Sequence, residues 1–146
     1  MVFIHPIRSD EKDLFQDTSY ASMPAGAMEK MLAESLAKSH DGRYFELFAV
    51  RNGDIRVGII SLYETAPGEI SCGPEIKPQY RKQGFACAAV CAALEYAKQI
   101  GYTKAVAQIR QDNAASIALH QKSGFTLCRS FTNKNGNPVL EFERPL

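Results

Sequence analysis

The segment Pro78-Gln79-Tyr80-Arg81-Lys82-Gln83-Gly84-Phe85-Ala86 combines basic side chains with small residues at the point where a predicted helix begins. Apolar residues recur at helical spacing over 84–100, which makes this helix the clearest one in the sequence. The first N–H groups of a helix lack intrahelical partners and the helix dipole is positive there, so phosphate oxygens can bind at such a turn. Gly84 and Ala86 leave room for a ligand, and the arginine and lysine add positive charge. The segment therefore predicts an anion site between a strand and a helix.

A basic turn before a helix is also common in loops that contact only solvent, and the segment by itself leaves this alternative open. It is not a Walker A loop, since the Gly-Lys-Ser/Thr ending is missing. It is not a dinucleotide fingerprint either, since only one of the three required glycines is present. The choice therefore depends on the rest of the chain.

Strands and helices are predicted on both sides of this segment, from runs of β-branched and aromatic residues and from apolar residues at helical spacing. The predicted strands cover 2–7, 44–51, 55–63, 69–76, 104–109, 125–131 and 138–143. The predicted helices are one that passes through Leu14 and Phe15 and three more over 27–37, 84–100 and 114–122. This order predicts an α/β (α+β) fold, with a largely antiparallel central sheet of about seven strands flanked by about four helices.

Two residues inside the predicted strand 69–76, Gly73 and Pro74, are unusual for a strand interior. Glycine has no side chain to pack, and proline lacks the N–H that a regular ladder requires. We therefore predict that this strand is irregular or bulged.

The composition predicts a single globular domain over residues 1–146, with 45% hydrophobic and 23% charged residues. The 17 basic and 16 acidic residues give a net charge of +1, which disfavours a nucleic-acid or membrane partner. The four cysteines form no CxxC pair or zinc-like cluster, so no metal is expected, and Cys87 and Cys91 are interpreted as small buried residues. No secretion signal and no apolar run of about eighteen residues is present, so a cytoplasmic location is expected.

Two motifs in the sequence resemble those of the GNAT superfamily of acetyl-CoA-dependent N-acetyltransferases. Arg81-Lys82-Gln83-Gly84-Phe85-Ala86 matches the superfamily's Q/R-x-x-G-x-G/A motif, with the usual Pro-x-Tyr before it. Residues 112–125, DNAASIALHQKSGF, are similar to the superfamily's second conserved segment. The resemblance covers about residues 44–131 and implies an acetyltransferase fold in which strands 69–76 and 104–109 splay apart to admit the pantetheine arm.

The resemblance also implies which residues bind acetyl-CoA. Main-chain N–H groups from Lys82 to Ala86 hold the diphosphate, the Ile76 backbone pairs with pantetheine, and Asn113 and Ser116 line the same channel. For Asn113, a plain helix N-cap is the alternative, and one side chain can serve both roles. The residues assigned to the cofactor are Ile76, Arg81, Lys82, Gln83, Gly84, Phe85, Ala86, Asn113 and Ser116.

Amine acetylation requires a base, because an amine with a pKa near 10.4 is neutral in only about one molecule in a thousand at neutral pH. Glu75 on the irregular strand is the first candidate for the base and Glu69 the second, acting directly or through water. A plain exposed residue paired with Lys77 or Arg81 is the alternative for Glu75. A strand N–H near Ile76 is the expected donor to the developing oxyanion.

His120 is the candidate general acid for the departing CoA thiolate, at a place where many GNAT enzymes have tyrosine. A free imidazole titrates near pH 6.5, so we expect turnover to depend more on pH than it would with tyrosine. A helix residue hydrogen-bonded to its surroundings is the alternative for His120.

The function expected from these residues is transfer of an acetyl group from acetyl-CoA to a primary amine by direct attack in a ternary complex. A non-catalytic acyl-CoA sensor is the alternative, whereas a nucleic-acid binding module would need a basic face that the charge balance does not supply. The acceptor is expected to be a small-molecule amine or a peptide N-terminus. The strands over 125–131 and 138–143 are candidates for pairing with a second copy in a homodimer.

Overall fold

Seven strands form one sheet, with helices packed on both of its faces. The structure is a computed structural model that describes residues 1–146, with the side chain of Ala25 left undescribed. The strands are β1 (Val2–Pro6), β2 (Phe45–Asn52), β3 (Ile55–Ala66), β4 (Glu69–Ile76), β5 (Lys104–Arg110), β6 (Thr126–Thr132) and β7 (Pro138–Pro145). The α-helices are α1 (Ala25–Ala37), α2 (Phe85–Gln99) and α3 (Ala114–Lys122), and the 3-10 turns are η1 (Lys12–Phe15), η2 (Ser19–Ser22) and η3 (Pro78–Tyr80).

The strand order is β1-β2-β3-β4-β5-β7-β6, and every neighbouring pair is antiparallel except β4 and β5. These two parallel strands pair only where they begin, at Glu69 opposite Lys104 and Ile70 opposite Ala105. Beyond these two pairs they separate toward their carboxyl ends. The predicted mixed fold and the predicted splay of these two strands are therefore both confirmed.

The prediction of an irregular strand at Gly73-Pro74 is wrong, because β3 and β4 stay in register through both residues. Lys77 N donates to Val57 O at 2.8 Å, and hydrogen-bonded pairs alternate with non-hydrogen-bonded pairs along an antiparallel ladder. Pro74, opposite Ile60, therefore falls at a non-hydrogen-bonded position, and its nitrogen faces the gap toward β5. No ladder bond is lost there.

The N-terminal helix predicted through Leu14 and Phe15 is also wrong, since this stretch forms the two 3-10 turns η1 and η2. Both apolar residues are fully buried, but Thr18 Oγ1 donates to the Phe15 carbonyl at 2.6 Å. This side chain takes the acceptor that a longer helix would use, and Asp17 has a positive φ of 63°. The described chain therefore has three α-helices rather than about four.

The core consists of two apolar clusters, one on each face of the sheet. The larger lies between the sheet and α2, which buries Ala89, Val90, Ala93, Leu94 and Ala97. The smaller lies under α1 and η1 and includes the two buried apolar residues of η1. The interpretation of Cys91 as buried is wrong, and Cys87 is only half-buried, because both residues flank the buried stripe of α2.

Candidate functional site

The divergence of β4 and β5 opens a cavity of about 1100 Å³ that is lined from both faces of the sheet. Four residues predicted for the site lie along its walls: Ala86, Asn113, Ser116 and His120. The second carboxylate candidate, Glu69, also lines the cavity, near the end where the strands still pair. The splay thus brings these five candidates to one space, whereas Glu75, Ile76 and residues 81–85 are not part of the cavity lining.

The edges of the two strands present unpaired backbone groups to this cavity. The alternation in the β3–β4 ladder turns the N–H groups of Cys72 and Ile76 toward the gap. Across the gap, the same alternation in the β5–β7 ladder turns the backbone of Val106 and Gln108 toward β4. Arg81 Nε donates to the Ile76 carbonyl at 3.0 Å, so the Ile76 N–H is the group of that residue that can bind a ligand.

The turn before α2 concentrates free backbone donors. Within the described part of the chain, the N–H groups of residues 82–87 have no hydrogen-bond acceptor, and the first helical bond runs from Ala88 N to Gly84 O at 3.1 Å. Lys82 and Gly84 hold left-handed conformations, with φ of 63° and 83°. A Cβ on Gly84 would meet no atom within 4 Å, so the turn is open to solvent. Six N–H groups and the positive helix end therefore form an anion cradle.

The amino end of α3 lies on the same cavity. Asn113 Oδ1 accepts a hydrogen bond from Ser116 N at 3.2 Å, so Asn113 is the N-cap of this helix. Both residues also line the cavity, which leaves the Asn113 amide NH₂ as a donor toward a ligand. The cap and the ligand contact are therefore compatible.

His120 is nearly buried, with 5% of its surface exposed, and it lines the cavity one turn after Ser116. Its Nδ1 lies 2.8 Å from the Ser116 carbonyl, which can only accept, so Nδ1 carries a proton. The ring packs edge-on against Phe125 at 5.0 Å between centroids. Among the described residues Nε2 has no partner, so this nitrogen is the one that can exchange a proton in the cavity.

The two carboxylate candidates have different surroundings. Glu69 accepts hydrogen bonds from Thr65 Oγ1 at 3.1 Å and Lys104 Nζ at 3.0 Å. Glu75 lies outside the cavity lining, and its two oxygens accept from Ser19 N at 2.5 Å and Ser19 Oγ at 2.6 Å. The structure thus places Glu69 on the cavity wall and Glu75 against η2.

Several cavity residues were missed by the sequence reasoning. The β5–β7–β6 wall carries a network in which Arg129 Nε and Gln108 Nε2 each donate to Glu141 at 2.9 Å. The hydrogen bonds from Arg129 and then from Gln108 lower the pKa of Glu141 to about 2. Cys72 also lines the cavity, and burial raises the pKa of its thiol to about 12. The alternation of side chains between the two faces of β7 could have indicated Glu141 as a residue of one face. Its partners Arg129 and Gln108 could not be predicted, because they depend on strand pairing.

The residues that the structure describes contain no group of three His, Cys, Asp or Glu side chains arranged to hold a metal ion. None of the helices among them is both long and apolar enough to span a bilayer.

Comparisons with known proteins agree with this geometry. Solved structures with the same fold include RimL, a ribosomal L7/L12 alpha-N-protein acetyltransferase in complex with coenzyme A (16% identity, 99% of this chain and 94% of that chain, TM-score 0.79). They also include a spermidine N-acetyltransferase SpeG chimera from Vibrio cholerae and hSSAT (15%, 97% and 94%, 0.77). A Bacillus subtilis acetyltransferase in complex with CoA is a third (18%, 100% and 99%, 0.70). No curated protein matches the sequence.

At such low identities, the TM-scores of these structures show that the fold is shared. The family is assigned by a separate family model. Residues 2–126 match the model described as Acetyltransferase (GNAT) domain. This range includes the splayed strands, the anion cradle before α2 and all of α3. The chain therefore belongs to the GNAT family of acetyltransferases.

Proposed function

We propose that the protein transfers an acetyl group from acetyl-CoA to a primary amine by direct attack in a ternary complex. The observation that carries this proposal is the row of free N–H groups at residues 82–87, beside a cleft open to both faces of the sheet. A two-sided cleft lets the thioester enter from the α2 face and the amine from the other. RimL and the spermidine N-acetyltransferase chimera are both named for acetylation of an amine, which supports an amine acceptor here.

The residues fit coenzyme A. In this proposal the cradle N–H groups from Lys82 to Ala86 bind the diphosphate, with Arg81 and Lys82 supplying charge. The Ile76 N–H pairs with the pantetheine arm, and Asn113 and Ser116 contact the arm from the opposite wall. The bound thioester supplies the activated acetyl group.

Direct attack is favoured over an acetylated enzyme because the cavity offers a poor nucleophile. Cys72 is the cysteine that lines the cavity, and a thiol with a pKa of about 12 is almost fully protonated at neutral pH. The amine nitrogen therefore forms the new bond to the acetyl carbon itself as the carbon–sulfur bond breaks.

Three groups of the chain manage the charges and protons in this proposal. Glu69, on the cavity wall, accepts the proton that the amine loses, directly or through water. The Cys72 N–H, the other β4 donor that faces the gap, donates to the acetyl oxygen as negative charge develops there. When both ring nitrogens carry a proton, His120 donates the Nε2 proton to the departing sulfur and keeps the Nδ1 hydrogen bond to Ser116.

A thiol-release assay with an amine panel tests the proposed function. Purified protein is mixed with acetyl-CoA and either spermidine, amino acids or a short peptide with a free N-terminal serine. We expect free CoA thiol to appear at a rate that depends on the amine. A non-catalytic sensor would bind acetyl-CoA in calorimetry but release thiol no faster than its hydrolysis.

Replacing Asn113 separates its two roles. Asn113→Ala should lower the free energy of unfolding by about 1 kcal/mol, since the N-cap is lost. It should also lower the affinity for coenzyme A by about tenfold, since the amide donor is lost. Urea unfolding and titration calorimetry measure the two effects.

Asn113→Asp is the matched variant, because its carboxylate can still cap α3 but cannot donate a hydrogen bond. We expect near-normal stability with weakened coenzyme A binding. Normal binding by Asn113→Asp would reduce Asn113 to a helix cap.

A further inference from the structure

Glu75 holds η2 through both oxygens of its carboxylate. One oxygen accepts from the backbone N–H of Ser19 at 2.5 Å and the other from the Ser19 hydroxyl at 2.6 Å. The contact joins β4 to a segment 56 positions earlier in the chain. A carboxylate that receives two donors from one residue fixes that residue in position and orientation.

The segment that Glu75 holds has few other anchors. Thr18 caps η2 by accepting from Tyr20 N at 3.3 Å, and the Tyr20 ring packs edge-on against Phe15 at 5.5 Å between centroids. None of the residues of η2 itself is buried. The Ser19–Glu75 pair is therefore a polar link between η2 and the central sheet, beside a contact of the Tyr20 side chain with Ser61.

The position of η2 relates it to the cavity. Side chains alternate along β4, so Glu75 shares a face with Gly73, which lines the cavity. Opposite Gly73 lies Ser61, and Tyr63 follows on the same face of β3 and also lines the cavity. On this face α1 packs against β2, so η2 lies between the covered half of the sheet and the open cleft.

Gly73 and Tyr63 line the cavity on this face, and Tyr20 of η2 is not among the lining residues. We propose that Glu75 is a positioning residue, which holds η2 against β4 so that η2 borders the amine-binding side of the cleft at this Gly73–Tyr63 wall. The inference rests on the proposed amine acetylation. The opposite wall is the Arg129–Glu141–Gln108 network, so the amine enters between Tyr63 and a fixed polar network. Glu75 then acts on acceptor binding through Ser19 and does not accept the amine proton.

The surroundings of Tyr20 agree with this role. Burial, followed by the nearby charge of Glu75, raises the pKa of Tyr20. The phenol therefore stays protonated at neutral pH, and its ring packs η2 against Phe15 on this face of the sheet.

Kinetics with spermidine and a serine-terminated peptide as probes test the proposal. Glu75→Ala should raise KM for the accepted amine by about tenfold, with kcat within about threefold of the wild type and acetyl-CoA affinity unchanged. Glu75→Gln should restore much of the loss, because its amide oxygen accepts from the Ser19 N–H and its NH₂ donates to the Ser19 hydroxyl. Ser19→Ala combined with Glu75→Ala should be no worse than Glu75→Ala alone. Glu95→Ala, at an exposed position on α2, should change nothing.

A catalytic base would behave differently. If Glu75→Gln lowered kcat about a hundredfold and removed the acidic limb of the pH–rate profile while Ser19→Ala was neutral, the positioning role would be overturned.

Amide hydrogen exchange tests the attachment without turnover. Glu75→Ala should accelerate exchange at the Ser19 amide, whereas Glu95→Ala should not. Unchanged exchange at Ser19 would overturn the proposal. If the wild type acetylated no amine but this exchange effect appeared, the proposed function would fail while the attachment of η2 by Glu75 stood.

Discussion

Gly84→Glu is expected to weaken coenzyme A binding by about a hundredfold or more, because it places a carboxylate among the free N–H groups that we propose bind the diphosphate. The carboxylate would accept from those N–H groups and repel the phosphates. The φ of 83° at Gly84 adds strain of about 1 kcal/mol for a residue with a Cβ. Titration calorimetry with coenzyme A measures the loss.

Gly53→Glu is the matched control. Gly53 also has a positive φ, of 61°, and open space around its Cβ position, but it lies in the β2–β3 turn away from the cleft. This variant should suffer similar backbone strain and keep its affinity for coenzyme A. Normal affinity in Gly84→Glu would refute the cradle at the start of α2, and with it the proposed function.

The parts of the fold that the sequence predicted well are those with local signals. The bounds of β4 and α3 match the predicted ranges, and α2 differs by one residue at each end. Helical spacing, the N-cap Asn113 and the turn at Gly84 are all properties of a few neighbouring residues. The anion cradle belongs to the same class, because a free helix end depends only on where the helix begins.

The parts that the sequence missed depend on contacts between distant segments. Pro74 fits a regular ladder because pairing with β3 places it at a non-hydrogen-bonded position. The stretch predicted as an N-terminal helix forms 3-10 turns instead, because the Thr18 hydroxyl donates to the Phe15 carbonyl. Glu75 meets Ser19 across 56 positions, which no local pattern indicates.

The candidate site divides in the same way. Its proposed cofactor side consists of helix ends and strand edges, so motif and spacing could assign it. Its proposed acceptor side consists of side chains brought together by strand pairing, such as Arg129 with Glu141. The structure is therefore most informative about the amine, on which the motifs gave no information.

His120→Asn is expected to lower kcat by about a hundredfold with near-normal affinity for acetyl-CoA, because it removes the nitrogen that we propose donates to the departing sulfur. The asparagine NH₂ can still donate to the Ser116 carbonyl as Nδ1 does, so the fold around α3 should be kept. Steady-state kinetics, with calorimetry for acetyl-CoA, measure the two quantities.

His120→Tyr gives the stricter test of His120. Because Nδ1 already donates to the Ser116 carbonyl, Nε2 can donate only when both ring nitrogens carry a proton. A tyrosine hydroxyl at this position is a donor without a second proton, so turnover should persist in His120→Tyr. Turnover in His120→Tyr as low as in His120→Asn would contradict proton donation from this position, and wild-type kcat in His120→Asn would leave His120 with a packing role against Phe125.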